Sequence, residues 1–183
     1  MPLGRLTKTP DLLSSVILLG AIAMLGGCAA LTINDISTDT VDPPVLLKVD
    51  GTGNWSTPLN YPSGFAATQL SAYPEISTRR YSLSPSEAFI LMKRVIKEFP
   101  RCKLVRAEEG ADSYLQAVAT TRLIRFNDDV VVRLRTRDSE TLVDIRSKSR
   151  VGSGDFGANA ARIKQLFDRF EAIAHASPAK PKL

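Results

Sequence analysis

The stretch that decides the fold is residues 130–146, VVVRLRTRDSETLVDIR. Apolar and charged residues alternate on both sides of Asp138-Ser139, and alternation with period two is typical of a β-strand that buries one face. If Asp138-Ser139 is the two-residue turn of a hairpin, Leu134 faces Val143 on one side of the sheet, and the charged residues face one another on the other side. We therefore predict an antiparallel hairpin in this register.

Helices are predicted on both sides of the strand region. The motif Ser84-Pro85-Ser86-Glu87 is a capping box with proline at the first helical position, and the apolar stripe that follows it ends before Pro100. A second amphipathic helix is predicted at 158–174, and further strands at 102–106 and 113–121. This order of elements predicts an α+β fold, a two-layer sandwich in which an antiparallel sheet of about four to five strands has two helices on one face.

The N-terminal segment is typical of an export signal. Arg5 and Lys8 precede the uncharged run Leu12–Ala23, LLSSVILLGAIA, and the run is followed by Leu25-Gly26-Gly27-Cys28, which resembles a lipobox. In such a motif the small residues let the peptidase close around the backbone, and the Cys thiol takes a thioether-linked diacylglycerol. We predict that residues 1–27 are a signal peptide and that Cys28 is lipidated, with palmitate-type acyl chains as its membrane anchor.

An uncleaved membrane helix is the alternative, because the uncharged stretch 12–34 is long enough to span a bilayer. Gly26, Gly27 and the lack of a positive anchor after the run favour cleavage. Ala29 stands where retained lipoproteins carry Asp, which by resemblance favours the periplasmic face of the outer membrane. The expected location is therefore the bacterial cell envelope.

Composition supports one globular domain, with 44% apolar and 23% charged residues. The formal charge of +5 is mild. In an exported protein it favours anionic lipids or envelope polymers as partners, or serves only solubility, whereas nucleic acid lies in another compartment. No cofactor is expected, and protein partners cannot be assigned from the sequence.

Residues 28–71 are rich in proline and glycine, which break any helical period, and they predict a tether between the lipidated Cys28 and a domain at 72–175. The apolar stretch 45–49 can lie extended against that domain. Residues 176–183 are predicted to be a basic tail.

With Cys28 acylated, Cys102 has no disulfide partner. Its neighbours Arg101 and Lys103 can lower the pKa of its thiol, although a small apolar filler is the commoner role.

Three segments carry a family resemblance: Ala72–Ile76 (AYPEI), Phe126–Val130 (FNDDV) and, above all, Asp144–Arg162 (DIRSKSRVGSGDFGANAAR). Over residues 71–173 the chain resembles an uncharacterised bacterial family classed as a domain of unknown function. The resemblance implies a fold and an envelope setting, and it implies no activity, substrate or cofactor.

The third segment predicts a polar cluster at the end of the sheet. In the hairpin register Asp129 lies opposite Lys148, and Arg146 and Arg150 lie diagonal to Asp129. A glycine-rich turn then leads to a helix that Asp155 or Asn159 can cap. The whole set comprises Asp128, Asp129, Arg146, Ser147, Ser149, Arg150, Gly152, Asp155, Gly157, Asn159 and Arg162.

Two interpretations of this cluster are open. It can be structural, which we favour, or it can be an anion site in which backbone N–H groups and guanidinium groups bind a phosphate or carboxylate. The aspartates argue against an anion, because they neutralise those cations or bind a divalent ion instead; no metal ligand set is assigned. Because Asp128 shares the apolar face and Asp129 the charged face, we expect Asp128→Ala to destabilise the domain more than Asp129→Ala.

Signatures of known enzyme classes are absent from the sequence, which has one histidine, His175, and lacks a nucleophile elbow or a Walker loop. The sequence therefore favours a lipid-anchored binding or scaffolding domain of the envelope. An envelope hydrolase or lipid-modifying enzyme that uses the Asp/Arg/Ser cluster is the alternative. Catalytic residues are not assigned.

Overall fold

The computed structural model describes residues 33–49, 51 and 56–176. The fold is α+β, and its elements within these residues are a six-stranded antiparallel sheet and three helices: β1 (Asp35–Ser37), α1 (Phe65–Ala72), β2 (Arg79–Tyr81), α2 (Pro85–Glu98), β3 (Cys102–Glu108), β4 (Asp112–Thr120), β5 (Asn127–Arg137), β6 (Glu140–Ser149) and α3 (Ala158–Ala176). The strand order is β1-β6-β5-β4-β3, and β2 also pairs with β6.

The predicted hairpin is confirmed in register and in turn. Leu134 pairs with Val143, and the two strands close at Arg137 and Glu140 around the two-residue turn. Asp138 and Ser139 have φ of 51° and 68°, the left-handed values that a type I′ turn requires at both central residues. This turn matches the twist of the strands although it contains no glycine.

The helix that precedes the hairpin also begins as predicted. The Ser84 hydroxyl accepts a hydrogen bond from the Glu87 backbone N–H, and the Glu87 carboxylate accepts one from the Ser84 N–H. α2 ends at Glu98, two residues before Pro100.

The apolar core joins alternate side chains of the central strands to side chains of α2 and α3, and we call the sheet face that carries these strand residues the helix face. Buried side chains alternate along the central strands, and they meet the apolar stripes of α2 and α3. They include Leu115, Ala117, Val130, Val132, Leu134, Val143 and Ile145 from the sheet, with Met92, Ile96, Ile163, Phe167 and Phe170 from the helices. Fully burying one such large side chain contributes roughly 1.5 to 3 kcal/mol.

Within the segment predicted as a tether, the described residues 33–49 and 56–71 pack with the domain instead. β1 adds to the edge of β6, where the Ser149 N–H donates to the Asn34 carbonyl at 2.8 Å, and Ile36 is completely buried. The number of strands is therefore six rather than four to five. A three-residue strand is too short to show alternation in the sequence. The prolines and glycines around it therefore led to the prediction of a tether.

The rest of this segment covers the second face of the sheet, which we call the cover face. We name residues 33–49 and 56–72 the N-terminal cover. Within it, the Gln69 side chain of α1 bonds the Ser37 backbone twice, at 2.8 and 2.6 Å. Gln116 of β4 similarly bonds both backbone groups of Leu47, at 3.2 and 2.7 Å. The ordered domain therefore begins before residue 72.

Residues 1–32, which include the predicted signal peptide and Cys28, lie outside the described residues, as do residues 177–183 of the predicted tail. Ala176 is the last residue of α3 rather than the first of the tail. Among the helices that the structure describes, none combines the length and the apolar character needed to cross a bilayer.

Candidate functional site

The sheet divides the predicted polar cluster between its two faces. Asp128 and Asp129 are neighbours in β5, so their side chains point in opposite directions. The helix face holds Asp128, Ser147, Ser149, Asn159 and Arg162, whereas the cover face holds Asp129, Arg146 and Arg150. The predicted residues therefore form two buried groups rather than one site.

Arg162, from the second turn of α3, organises the helix-face group. Its guanidinium donates to Asp128 Oδ2 at 2.6 Å, to Ser147 Oγ at 2.7 Å and to Asn159 Oδ1 at 2.6 Å. Asn159 Nδ2 in turn donates to Ser149 Oγ at 3.0 Å. Every member of this network is buried, so the network fixes the start of α3 to the ends of β5 and β6.

The glycine-rich turn before α3 is closed by Asp155. Its carboxylate accepts the backbone N–H groups of Gly157 at 2.9 Å and of Asn159 at 2.7 Å, so Asp155 rather than Asn159 caps the helix. Burial raises the pKa of the Asp155 carboxyl, against the lowering effect of these hydrogen bonds. Because a carboxylate of the chain already occupies this helix N-terminus, an external anion has to displace it.

Gly157 satisfies two constraints at this turn. Its φ of 80° lies in the left-handed region, and a Cβ there would come within 3.2 Å of the Tyr73 hydroxyl. This contact links two of the sequence segments that carry the family resemblance.

On the cover face, Arg146 of β6 and Arg150, which directly follows β6, each form a bidentate ion pair. Arg150 holds Asp129 at 2.6 and 2.8 Å, and Arg146 holds Asp35 of β1 at 2.8 and 2.9 Å. All four side chains are at most 3% exposed. The expectation that Asp129 lies on a more exposed face than Asp128 is therefore wrong, because the N-terminal cover excludes water from it.

Asp35 is the residue that sequence reasoning missed. It also lies 3.6 Å from Lys148 Nζ, so one carboxylate neutralises two buried cations. Burial lowers the pKa of Lys148, although Asp35 opposes the shift. A single aspartate in a segment without a recognisable period gave no signal of this role.

A further charge cluster lies toward the hairpin turn of the cover face. Asp144 accepts from Arg135 at 2.7 Å and from Arg133 at 3.1 Å, and it also accepts the Thr78 hydroxyl at 2.6 Å. Asp39 of the N-terminal cover contacts the same two arginines at 3.1 and 3.3 Å. The prediction that charged residues of the hairpin face one another is confirmed for Arg133 and Asp144, and the cover supplies the second carboxylate.

A cavity of about 700 Å³ borders the cover-face group, and Asn34, Tyr61, Phe65, Lys148 and Gly152 are among the residues that line it. Burial raises the pKa of Tyr61 to about 12, so its hydroxyl is neutral at physiological pH. The ammonium group of Lys148 already faces Asp35. Most of the polar groups around this cavity therefore already contact other residues of the domain.

Two other sequence-based expectations concern single residues. Burial raises the pKa of the Cys102 thiol to about 11, which agrees with the apolar filler that the sequence favours over a thiol whose pKa is lowered by Arg101 and Lys103. His175 lies in the last turn of α3, as predicted. In the part of the chain that the structure describes, no group of three His, Cys, Asp or Glu side chains is arranged to hold a metal ion.

The polar residues that the sequence predicts as one cluster stabilise the fold at both faces of the sheet. Among the buried side-chain nitrogen and oxygen atoms of the described residues, only Arg135 Nε lacks a hydrogen-bond partner. The candidate residues thus satisfy one another, which is the arrangement that a buried polar network needs in order to stabilise a fold.

Comparison with solved structures gives distant likenesses. The crystal structure of TTHA0849 from Thermus thermophilus is 15% identical with a TM-score of 0.31, and the match covers 56% of this chain and 97% of that one. CalU16 from Micromonospora echinospora is 16% identical with a TM-score of 0.29, and the match covers 54% of this chain and 83% of that one. At such low TM-scores neither likeness indicates a shared function.

No curated protein matches the chain. A family model described as protein of unknown function (DUF1499) matches residues 35–170, from the first residue of β1 into the last turns of α3. The match includes β1 and nearly all of the N-terminal cover, and it extends the resemblance seen in the sequence by 36 residues toward the N-terminus, from 71 to 35. The chain belongs to this family, DUF1499, whose function is unknown.

Proposed function

We propose that the chain is a lipid-anchored domain of the bacterial cell envelope with a binding or scaffolding role, held at the periplasmic face of the outer membrane. The export signal and the lipobox-like Leu25-Gly26-Gly27-Cys28 support the anchor. The proposal includes a two-layer core in which α2 and α3 form one layer against the helix face, as their shared apolar cluster suggests.

The observation that supports this role is that charged residues of the family motif form ion pairs with one another inside the fold. Asp128, the best acid of the cluster, is paired with Arg162 at 2.6 Å, and Asp129 is paired with Arg150 at 2.6 Å on the opposite face. A pair of carboxylates on opposite faces of a sheet cannot share a substrate. This favours binding through the exposed surface over hydrolysis by the cluster.

The anchor is tested with Cys28→Ser. We expect this change to abolish metabolic labelling with radioactive palmitate and to block removal of residues 1–27, because the thiol that takes the diacylglycerol is lost. Cys102→Ser is the matched control, since it removes the other cysteine and should leave labelling intact. A wild-type protein whose N-terminus is still Met1 contradicts the proposal and supports a retained helix.

The role is tested with the purified full chain and preparations of envelope lipids and glycans. We expect binding without turnover. Hydrolysis of any of these by wild-type protein, lost in Asp128→Asn with an unchanged thermal melt, would instead support the alternative of an envelope hydrolase or lipid-modifying enzyme.

A further inference from the structure

One end of the sheet gathers three parts of the chain that lie far apart in sequence. β1 begins there, next to Asn34, whose carbonyl accepts the Ser149 N–H at 2.8 Å. The β4–β5 loop, residues 121–126, follows from the pairing of Thr120 with Asn127, and the Arg150 N–H then donates to the Asn127 carbonyl at 3.2 Å. The β6–α3 loop, residues 151–157, completes this end of the sheet, which we call the anchor end.

The two loops of the anchor end expose large apolar side chains to solvent. Leu123 is 89% exposed and Phe156 is 86% exposed. Five of the nine large exposed apolar side chains among the described residues lie in these loops: Leu123, Ile124, Phe126, Val151 and Phe156. A concentration of this kind on one surface marks an interaction site rather than the scattered apolar residues of an ordinary surface.

Basic side chains surround these apolar residues. Arg122 and Arg125 alternate with them in the β4–β5 loop, and both are exposed. A cavity of about 630 Å³ between this loop and the end of α2 is lined by Lys97, Arg101, Lys103 and Arg125, and the described residues around it include no carboxylate. Arginine beside apolar side chains is the combination that binds anionic headgroups while the apolar groups enter the interface.

The length of chain before β1 fixes how far this end can lie from the anchor. Ile33 is 2% exposed and belongs to the folded domain, and Cys28 precedes it by five residues. Five residues span at most about 18 Å when fully extended. A lipid on Cys28 therefore brings the anchor end, rather than the hairpin end or the C-terminus of α3, to the bilayer.

We propose that the anchor end docks on the bilayer that holds Cys28. Leu123, Ile124 and Phe156 enter the boundary between headgroups and acyl chains, and Arg122 and Arg125 contact lipid phosphates. This inference rests on the proposed anchor, and it adds an orientation: the hairpin turn and the C-terminus of α3 point away from the membrane and are left for other partners.

The test measures the depth of single labels in the membrane. The full chain, with Cys102→Ser, is reconstituted in phosphatidylethanolamine–phosphatidylglycerol vesicles that contain brominated lipids, and an environment-sensitive fluorophore is placed at Leu123→Cys or Phe156→Cys. Val41→Cys is the matched control, since Val41 is 95% exposed, apolar and next to Asp42, which contacts Arg133. The parent without an added cysteine measures any label on Cys28.

We expect the brominated lipids to quench the labels at 123 and 156 several-fold more strongly than the label at 41. Arg122→Gln combined with Arg125→Gln should reduce this quenching in vesicles with phosphatidylglycerol and leave it unchanged in vesicles of neutral lipid. All of these positions are exposed, so thermal melts should match the parent.

Three results overturn the inference, and they can be told apart. Equal quenching at 41 and 123 on vesicle-bound chain removes the docking and leaves the anchor standing. A chain that does not float with vesicles removes both. Labels at 123 and 156 that are shielded from water-soluble quenchers but untouched by brominated lipids show that protein, such as a second copy of this chain, covers the anchor end instead.

Discussion

Both faces of the sheet are largely buried, but they differ in chemistry, because most of the buried ion pairs among the described residues lie on one of them. The helix face carries the strand residues of the apolar cluster that also includes side chains of α2 and α3, and the polar group around Arg162 lies at its end. The cover face is buried by the N-terminal cover, and its interior includes the ion pairs Asp35–Arg146 and Asp129–Arg150 beside apolar residues such as Val131. Both faces come from the same strands, as alternate residues of β5 and β6.

This difference determines how each face tolerates change. Apolar burial is roughly proportional to area, so a helix-face substitution loses an amount set by the atoms removed. The stability lost at a buried ion pair does not scale with the atoms removed, because removal of one partner leaves the other desolvated and uncompensated. We therefore expect the cover face to respond to single substitutions in a more nearly all-or-none manner.

The strongest test of this view is Asp35→Ala. It leaves Arg146 and Lys148 buried without their shared carboxylate, and breaking a buried pair typically costs about 3 to 5 kcal/mol. Chemical denaturation of the full chain should show a loss in this range, with strand β1 the first to lose protection in hydrogen exchange.

Asp42→Ala is the matched control, because its carboxylate belongs to the same cover but is 67% exposed, and such a pair contributes about 0 to 1 kcal/mol. Similar losses in Asp35→Ala and Asp42→Ala would mean that water reaches the whole cover face.

The next test compares the neighbours Asp128 and Asp129. Asp129→Ala removes a carboxylate that Arg150 holds through two hydrogen bonds at a side chain that is 1% exposed, whereas Asp128→Ala removes one hydrogen bond of Arg162, whose side chain is 9% exposed and also donates to Ser147 and Asn159. We expect a loss of about 3 to 5 kcal/mol for Asp129→Ala and a smaller one for Asp128→Ala. This order is the reverse of the one that the sequence predicts.

Replacement of both partners sharpens the result. In Asp129→Leu combined with Arg150→Met the apolar pair should recover much of the loss, since well-packed apolar residues often replace a buried ion pair at little cost. Thermal melts of the single and double variants decide it, and a double variant no more stable than Asp129→Ala would contradict the account.

The two faces also differ in how well the sequence predicts them. Period-two alternation around Asp138-Ser139 predicted the hairpin register, because the helix face selects apolar residues at alternate positions. The same alternation makes the cover face resemble a solvated one, and nothing in a run of charged residues tells whether another segment covers it. The partner residue Asp35 lies 111 positions before Arg146, and no local rule connects positions so far apart.

The candidate site shows the same limit. The motif from Asp144 to Arg162 predicted a polar cluster at the end of the sheet, and its glycines predicted the turn before α3. Their division between two faces follows from strand geometry, but the partners from β1 depend on tertiary structure. The residues that the sequence groups into one candidate site therefore form two buried networks, and both networks stabilise the described fold.

A smaller effect is expected at the turn that joins the faces. Asp155→Ala removes the acceptor of the Gly157 and Asn159 N–H groups, which should cost about 0.5 to 2 kcal/mol, as for other helix caps. Asp155→Asn should retain most of the stability, because asparagine also accepts these bonds and has no charge to desolvate. Thermal melts of both variants check this, and Ser153→Ala, in the same loop, is the control.

The pH dependence of Asp155 follows from its raised pKa. Burial favours the protonated carboxyl in the folded state, so this group's contribution to stability is greatest below its unfolded pKa of 3.8 and is lost as pH rises through the folded pKa. Wild-type protein should therefore gain stability relative to Asp155→Asn as pH falls through this range. An unchanged difference would mean that the carboxylate is already well solvated.

The smallest expected effect tests how dry the rim of the helix face is, at Cys102. Burial raises the pKa of this thiol from 9.0 to about 11, and only the thiolate is alkylated. The rate of carbamidomethylation by iodoacetamide, followed by mass spectrometry of the Cys102 peptide, should therefore rise about tenfold per pH unit well past pH 9 and level off only near pH 11. The folded state favours the thiol, so this group's contribution to stability is complete below pH 9 and is lost as pH rises through about 11. Cys102→Ala, which cannot ionise, should lack that part of the alkaline loss, while the tyrosine contributions remain in both proteins. A plateau of alkylation at or below pH 9 would show instead that Arg101 and Lys103 stabilise the thiolate and that the rim is open to water.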